Sequence, residues 1–374
     1  MNDASYMKLA LGLAAKGAGW VSPNPMVGAV VVKDGEIVGR GYHRAYGQPH
    51  AEVEALNRAG DAAKGADLYV TLEPCNHHGR TPPCTQAVLT AGIARVVIAT
   101  LDPNPRVDGH GAEVLQARGL EVETGLMAEE ARRLNEAWFK WVKTGLPFVI
   151  AKAACSLDGK IATATGESQW LTGEKARGFG HQLRHQLDAI LVGIGTVLAD
   201  DPQLTTRLPR QKTENGKRKT ENGPRDPIRI VLDSRLRLPL SAKMLHLDSA
   251  AATWIACTDA APKDKIQALT DLGAEVLVMP GESGRVALKP LLHELGRRQV
   301  QSLLVEGGAE TLGSFFDQRL VDKFYFFYAP KILGGQTAPG MLAGAGVQRL
   351  GNALQARELT VKKLGPDLLV MGYL

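Results

Sequence analysis

The chain has 374 residues, more than one ordinary domain needs and enough for two. With 44% hydrophobic and 22% charged residues it has the composition of a globular protein, and no apolar run approaches the roughly 18 residues of a membrane span. The formal net charge of +5 does not indicate nucleic acid, because Arg207 to Arg225 holds seven basic and two acidic residues and so carries the whole excess. A nucleic-acid binder spreads its basic residues over a folded face. The same stretch repeats KTENG at 212–216 and 219–223, and its polar composition predicts a mobile insertion at about 211–225 with no catalytic role.

In chain order, MNDASYMKLALGLAAKGAG reads as a small-residue amphipathic helix, with no cationic apolar leader, so the cytoplasm is the expected compartment. MVGAVVVKDGEIVGRGY reads as a hairpin whose two apolar runs join around Asp34-Gly35. A helix is expected from about Pro49, with proline at its start and Gly60 near its end. ADLYVTLEP reads as a strand, and TPPCTQAVLTAG as a short helix opened by prolines and stopped by Gly92. ARVVIATLDP, GAEVLQARG and LEVETGL continue as strand, helix and strand. AEEARRLNEAWFKWVKTG reads as one amphipathic helix that ends at Gly145. This order predicts an α/β sheet covered by helices on both faces.

TGLP at 144–147 punctuates the chain, which gives domains of about 1–145 and 146–374. A second α/β series then begins with PFVIAKAACSLDGK. DAILVGIG, PIRIVLD, ATWIACT, AEVLVMP and QSLLVEGG read as further strands, and FYFFYAPKILGG and ELTVKKLGPDLLVMGYL as strands that finish the sheet.

The cysteines are Cys75, Cys84, Cys155 and Cys257. In a reducing compartment they are not a disulfide framework. Cys155 and Cys257 lie in apolar, strand-like runs and are expected as buried thiols. Cys75 and Cys84 follow prolines and, with His50, would supply the three protein ligands of a catalytic zinc site that keeps a fourth position for water. Glu52, two residues after His50, suits a base. The general zinc-deaminase signature is H-x-E followed by P-C-x-x-C. Here H-A-E and P-C match, but eight residues separate the two cysteines in CNHHGRTPPC. A closed structural site with a fourth ligand from His77 or His78 is the alternative, and it leaves Glu52 without a purpose.

The long CNHHGRTPPC loop, with SPNPMVGAVVV, GYH, PHAE and LDPNP, resembles the bifunctional deaminase/reductase family of riboflavin biosynthesis. In that family the longer loop is the normal form. The resemblance spans essentially the whole chain apart from the insertion. It implies a cytidine-deaminase-like three-layer domain at 1–145 holding one Zn2+ per chain, with Glu52 catalytic. It further implies a pyrimidinone substrate carrying a ribosylamino 5′-phosphate, met by Asn24, His43, Arg80, Asp102 and Asn104. Asn24 and Asn104 also precede prolines and would serve as plain turn residues.

No G-x-G-x-x-G dinucleotide fingerprint occurs in the second domain. LLVEGGAETLG places Gly307-Gly308 between a strand and a helix, where backbone N–H groups suit a phosphate. The runs ACSLDGK, GESQWLTG, LRHQLDAILVGIGTVLADDPQLTTR, LDSRLRLP and VEGG resemble the reductase half of the same family, which has a dihydrofolate-reductase-like α/β fold. The resemblance implies NADPH as hydride donor and a homodimer formed through the reductase domain. By position it assigns Ala154, Trp170, Thr196, Asp200, Ser234 and the 308–314 turn, beginning at Gly308, to the cofactor. Ser168, Arg184, Leu204, Arg207 and Glu306 fall to the substrate. Arg184 and Arg207 suit its phosphate, since guanidinium binds phosphate in a bidentate way. Lys152 and Glu306 are the expected polar groups nearest the chemistry, and Ser234 with Arg235 the contacts for a cofactor 2′-phosphate. A nucleic-acid base deaminase is the rival class, and it would need basic and aromatic tracks for a strand in a chain only 5% aromatic.

Overall fold

In a computed structural model that describes residues 1–78, 82–104, 110–208 and 224–374, the chain divides into two units, Met1–Leu146 and Pro147–Leu374. The first unit begins with α1 (Asp3–Ala14), the hairpin β1 (Gly28–Lys33) and β2 (Glu36–Tyr42), and α2 (Ala51–Ala59). β3 (Asp67–Val70), α3 (Cys84–Thr90), β4 (Arg95–Ile98), α4 (His110–Ala117) and β5 (Glu121–Thr124) follow, then α5 (Ala128–Leu134) and α6 (Glu136–Thr144). The strands form one sheet in the order β2-β1-β3-β4-β5.

The hairpin turns at Asp34 and Gly35, with φ of 49° and 80°, between the paired residues Lys33 and Glu36. Positive φ at both central residues gives the turn whose twist matches the flanking strands. β1 is almost wholly buried, because helices cover both of its faces. On one face Ala51, Ala55, Val88 and Leu115 pack against Val31, Leu68 and Val96; on the other Met7, Ala10, Leu13 and Ala131 pack against Val30, Tyr69 and Val97.

The second unit runs β6 (Phe148–Ser156), α7 (Glu174–Gln186), β7 (Ala189–Gly193), α8 (Ile194–Asp200), β8 (Ile228–Leu232), β9 (Thr253–Cys257), α9 (Lys263–Asp271) and β10 (Glu275–Val278). A two-residue-per-strand hairpin, β11 (Gly281–Glu282) and β12 (Arg285–Val286), precedes α10 (Leu288–Arg297), β13 (Ser302–Glu306), α11 (Ala309–Asp317) and β14 (Lys323–Ala329). The chain ends in β15 (Arg357–Leu364) and β16 (Asp367–Tyr373). Nine strands align as β10-β9-β8-β7-β13-β6-β14-β16-β15. β13 returns to lie between β7 and β6, parallel to both. The strand order therefore reverses there, and the carboxyl ends of β6, β7 and β13 open on a crevice, the usual ligand position of open α/β sheets.

Three expectations need correction. His50 is the N-cap of α2 rather than a residue of its first turn. The strand expected over ADLYVTLEP stops at Val70. The helix expected over 128–144 is two helices, broken at Asn135 (φ −109°, ψ 26°), whose side chain bonds to the backbone of Met26 instead of facing solvent. Residues 211–223 of the expected insertion lie outside the described residues; at its end the Arg225 N–H donates to His185 Nδ1 at 3.1 Å and its guanidinium lies 3.7 Å from Asp188. Cys155 and Cys257 are buried as expected, and burial pushes both thiols up to about 11.

Gly41 on β2 is in contact with α2, since a Cβ there would lie 2.2 Å from the Ala51 carbonyl oxygen and 2.5 Å from the Ala55 nitrogen. Gly41→Ala is therefore expected to cost about 1–3 kcal/mol. Amide hydrogen exchange of the full chain checks this: protection of α2 should fall by that amount while the second unit keeps its own.

Candidate active sites

Three segments bring His50, Cys75 and Cys84 to one point. His50 caps α2, Cys75 follows the extended stretch after β3, and Cys84 opens α3 behind Pro83. Their ligand atoms all lie within 4.8 Å of one another. His50 Nδ1 is 3.1 Å from Cys84 Sγ and 3.6 Å from Cys75 Sγ. Tetrahedral zinc, bonded at about 2.0–2.1 Å to nitrogen and about 2.3 Å to sulfur, sets N···S edges of roughly 3.6 Å. The donor set fits zinc, and neither His77 nor His78 belongs to the cluster. Between the two sulfurs, the Cys84 thiol donates to Cys75 and pushes it down to about 4, while Cys84 itself is pushed well above the thiol range. A divalent cation lets both be thiolates.

Glu52 lies in the first turn of α2, buried beside the cluster but not part of it. Burial pushes its carboxyl up to about 7, against the pull of His50. A carboxyl that titrates near neutrality suits proton transfer in both directions. It faces a cavity of about 330 Å³ also lined by Asn24, His43, His77, Asp102, Asn104 and Trp138. Four of the five expected substrate residues thus share this cavity, and Arg80 lies outside the described residues. His43 is buried and its ring nitrogens are both engaged: Nδ1 with the Pro49 carbonyl at 3.1 Å, Nε2 with Asn24 Nδ2 at 3.1 Å. The carbonyl needs a donor, so Nδ1 carries the proton and Nε2 accepts from Asn24. Burial also lowers the His43 pKa, which keeps the ring neutral. Burial pushes Asp102 up to about 6, and its Oδ1 accepts the Asn104 N–H at 2.9 Å.

In the second unit, Lys152 and Glu306 are registered neighbours on β6 and β13, which sets Nζ 3.9 Å from Oε2. Arg184 from α7 forks onto the same carboxylate, Nε to Oε1 at 3.2 Å and Nη2 to Oε2 at 2.8 Å. Burial raises the Glu306 pKa, but Arg184 and then Lys152 outweigh it and hold the carboxyl at about 2. These groups line a cavity of about 630 Å³ with Ala154, Trp170, Asp200, Leu204 and Arg207. Ser168 sits at its edge, its Oγ 3.4 Å from Asp200 Oδ1. Thr196, Ser234 and Gly308 line a separate cavity of about 900 Å³. There Thr196 Oγ1 accepts the Gly308 N–H at 3.0 Å, and Gly307, at φ 123°, leaves room for it, since a Cβ there would lie 2.8 Å from that oxygen. The residues expected for the cofactor are thus divided between two cavities, one lined by Thr196 and the other by Asp200 of α8.

Residues 147–370 match the family described as the RibD C-terminal domain, and residues 1–100 the cytidine and deoxycytidylate deaminase zinc-binding region. A riboflavin biosynthesis protein RibD from Aquifex aeolicus is 46% identical over 98% of this chain and 97% of its own length. The chain belongs to the RibD family. The RibD of Escherichia coli (strain K12) is 43% identical, with 98% of each chain covered. A solved RibD structure from Acinetobacter baumannii superposes with a TM-score of 0.88 at 39% identity, covering 99% of this chain and 98% of that one. A Thermotoga maritima structure described as a diaminohydroxyphosphoribosylaminopyrimidine deaminase/5-amino-6-(5-phosphoribosylamino)uracil reductase superposes with a TM-score of 0.84 at 36% identity, again over 99% and 98%. As a member of this family the chain is a deaminase and reductase of riboflavin biosynthesis, with a zinc-binding deaminase unit and an NADPH-dependent reductase unit.

Three groups escaped the sequence reading. Trp138 lines the first cavity although its helix looked like a plain amphipathic surface element. Arg177 stacks its guanidinium 4.9 Å from the Trp170 ring, which is 61% exposed. His181, one helical turn before Arg184, accepts the Arg207 N–H at 3.3 Å, and burial, then Arg184 and Arg207, push it down to about 4. The i, i+4, i+7 spacing of Arg177, His181 and Arg184 on α7 was the available signal.

The depressed Glu306 pKa has a stability consequence. Its contribution is full above the ordinary value of 4.5 and is lost as pH falls through about 2. Removing Arg184 would leave a buried carboxylate short of its main partner, a loss of about 3 kcal/mol or more. Denaturant midpoints of wild type and Arg184→Ala should therefore differ strongly at pH 7 and converge as the pH approaches 2.

Proposed function

We propose that the first unit, about 1–145, hydrolytically deaminates 2,5-diamino-6-ribosylamino-4(3H)-pyrimidinone 5′-phosphate. The second, about 146–374, then reduces the ribosyl group of the product to ribityl. The substrate is the one named by the Thermotoga maritima relative. The observation that carries the reading is the buried Glu52 carboxyl set beside, but outside, the His50, Cys75 and Cys84 cluster. When bound, zinc supplies the acidified water that hydrolytic deamination needs at neutral pH. Glu52 would take a proton from water attacking the amino-bearing ring carbon. It then delivers the proton to the departing nitrogen, which leaves as ammonia and a ring carbonyl. Asn24, His43, Arg80, Asp102 and Asn104 hold the pyrimidinone and its ribosyl phosphate.

In the second unit NADPH, when bound, supplies the hydride to C1′ of the opened sugar. Residues of both cavities would hold the cofactor: Gly308 and Thr196 its phosphates, Ser234 its ribose end, and Ala154, Trp170 and Asp200 the nicotinamide end. Arg184 and Arg207 bind the substrate phosphate, with Ser168 and Leu204 beside it. Lys152, paired with Glu306, gives the proton to the sugar oxygen as the ring opens. The working compartment is the cytoplasm. The working state is a homodimer through the reductase unit, and the exposed Leu359 and Val361 on the edge strand β15 support that face as the contact.

Glu52→Gln should lower ammonia release by about 10²–10⁴-fold. Zinc content should stay at one per chain, and NADPH oxidation on the already deaminated compound should stay at the wild-type rate. A parallel assay of the two activities with metal analysis checks this. Undiminished ammonia release would remove Glu52 from the chemistry.

A further inference from the structure

We propose that the break between α5 and α6, through Asn135 and Trp138, positions the two substrate loops of the deaminase cavity. This rests on the deaminase reading above. It concerns a segment beyond residues 1–100, where the match to the zinc-binding region ends.

Asn135 is 3% exposed and carries both an acceptor and a donor in its side chain. Its Oδ1 accepts the Met26 N–H at 2.8 Å, and its Nδ2 donates to the Met26 carbonyl at 2.9 Å. One amide thus satisfies both backbone groups of a single residue, as a neighbouring strand would. Met26 lies two residues after Asn24. Asn24 Nδ2 in turn donates to His43 Nε2, and His43 Nδ1 donates to the carbonyl of Pro49, the residue before His50. The consequence is an oriented Asn24: its N–H side is committed to His43, which leaves Oδ1 for a substrate donor.

Three residues after Asn135, about one helical turn, Trp138 is buried and lines the same cavity. Its Nε1–H points to Asp102 Oδ1 at 3.4 Å. Glu73 takes the Asp102 N–H at 3.2 Å and the Ala112 N–H at 3.0 Å, so the Asp102 loop is held from its backbone as well. One helical turn therefore grips both the 24–26 loop and the 102–104 loop. An unbroken helix would have no reason to bury an asparagine at 135. The break is explained if its function is to deliver that amide to Met26. Neither residue touches His50, Cys75, Cys84 or Glu52 in the contacts described above, so both act on substrate placement rather than on the metal or the proton carrier.

The test uses the full-length, zinc-loaded chain. Asn135→Ala removes both bonds to Met26, and Trp138→Phe keeps the ring while removing the N–H. Each is expected to raise KM for the diaminopyrimidinone ribosyl phosphate about tenfold, with kcat changed less than about threefold. Zinc should stay at one per chain, which controls for folding of the first unit, and reduction of the deaminated compound should be unchanged. Asn135→Asp, which keeps the acceptor but sets a carboxylate against the Met26 carbonyl, should behave like Asn135→Ala. The same substitutions placed on Glu52→Gln allow binding to be read by calorimetry without turnover, where Kd should rise by the same factor. If Glu52→Gln binds this compound and the added substitutions leave Kd unchanged, the positioning role is wrong and the deaminase reading stands. If Glu52→Gln does not bind it, both fall. A loss of zinc that parallels the loss of activity would also overturn the inference, because it would place Asn135 and Trp138 in support of the metal.

Discussion

Two sulfurs and an imidazole nitrogen within 4.8 Å of one another are the constraint around which the first unit is built. Left to themselves, two neighbouring thiols share one ionisation, and the Cys75–Cys84 pair is polarised in that way. A divalent cation is what makes their proximity favourable. The rest of the unit follows from bringing three distant stretches to that point. β1 and β3 pair so that the chain leaves the sheet at Val70 on the way to Cys75. α2 lies against glycines of β2 so that His50 reaches the same place from its N-terminus. Glu52 is then buried by that same packing, and burial sets its proton affinity near neutrality.

The second unit answers a different demand. Its central carboxylate, Glu306, is buried at the end of an inner strand, an unfavourable place for a charge unless cations face it. Register supplies one of these, Lys152 on the adjacent strand, and α7 supplies the other, Arg184. Arg207 lies close enough to Arg184 for the two cations to oppose each other, and burial adds to the cost. An anion bound between them would relieve that opposition, which ties the phosphate assignment to the electrostatics of this chain. Proton-transfer groups are few here, as expected where a cofactor carries the hydride.

Much of this was legible in the residues. The turn at Asp34-Gly35 and the alternating strand and helix patterns gave most elements within a few positions. His50, Glu52, Cys75 and Cys84 were recognisable because few other uses exist for such groups at such spacing. That register makes Lys152 and Glu306 neighbours was not legible, since pairing between residues 154 positions apart leaves no local trace. The α5–α6 break was not legible either. Asparagine in a helical pattern weakens it only slightly, and the bond that decides the matter goes to a residue 109 positions away. Trp138 was hidden by the same periodicity, because a buried aromatic on an amphipathic helix reads as core whether it faces a sheet or a cavity.

X-ray absorption at the zinc edge of the purified full-length chain tests the central claim most directly. Coordination by His50, Cys75 and Cys84 with one open position requires two sulfur scatterers at about 2.3 Å and two lighter ones at about 2.0–2.1 Å, one of them a histidine nitrogen. A second histidine signal in place of the water oxygen would mean a closed structural site. That result, or a chain that binds no zinc, would contradict the account.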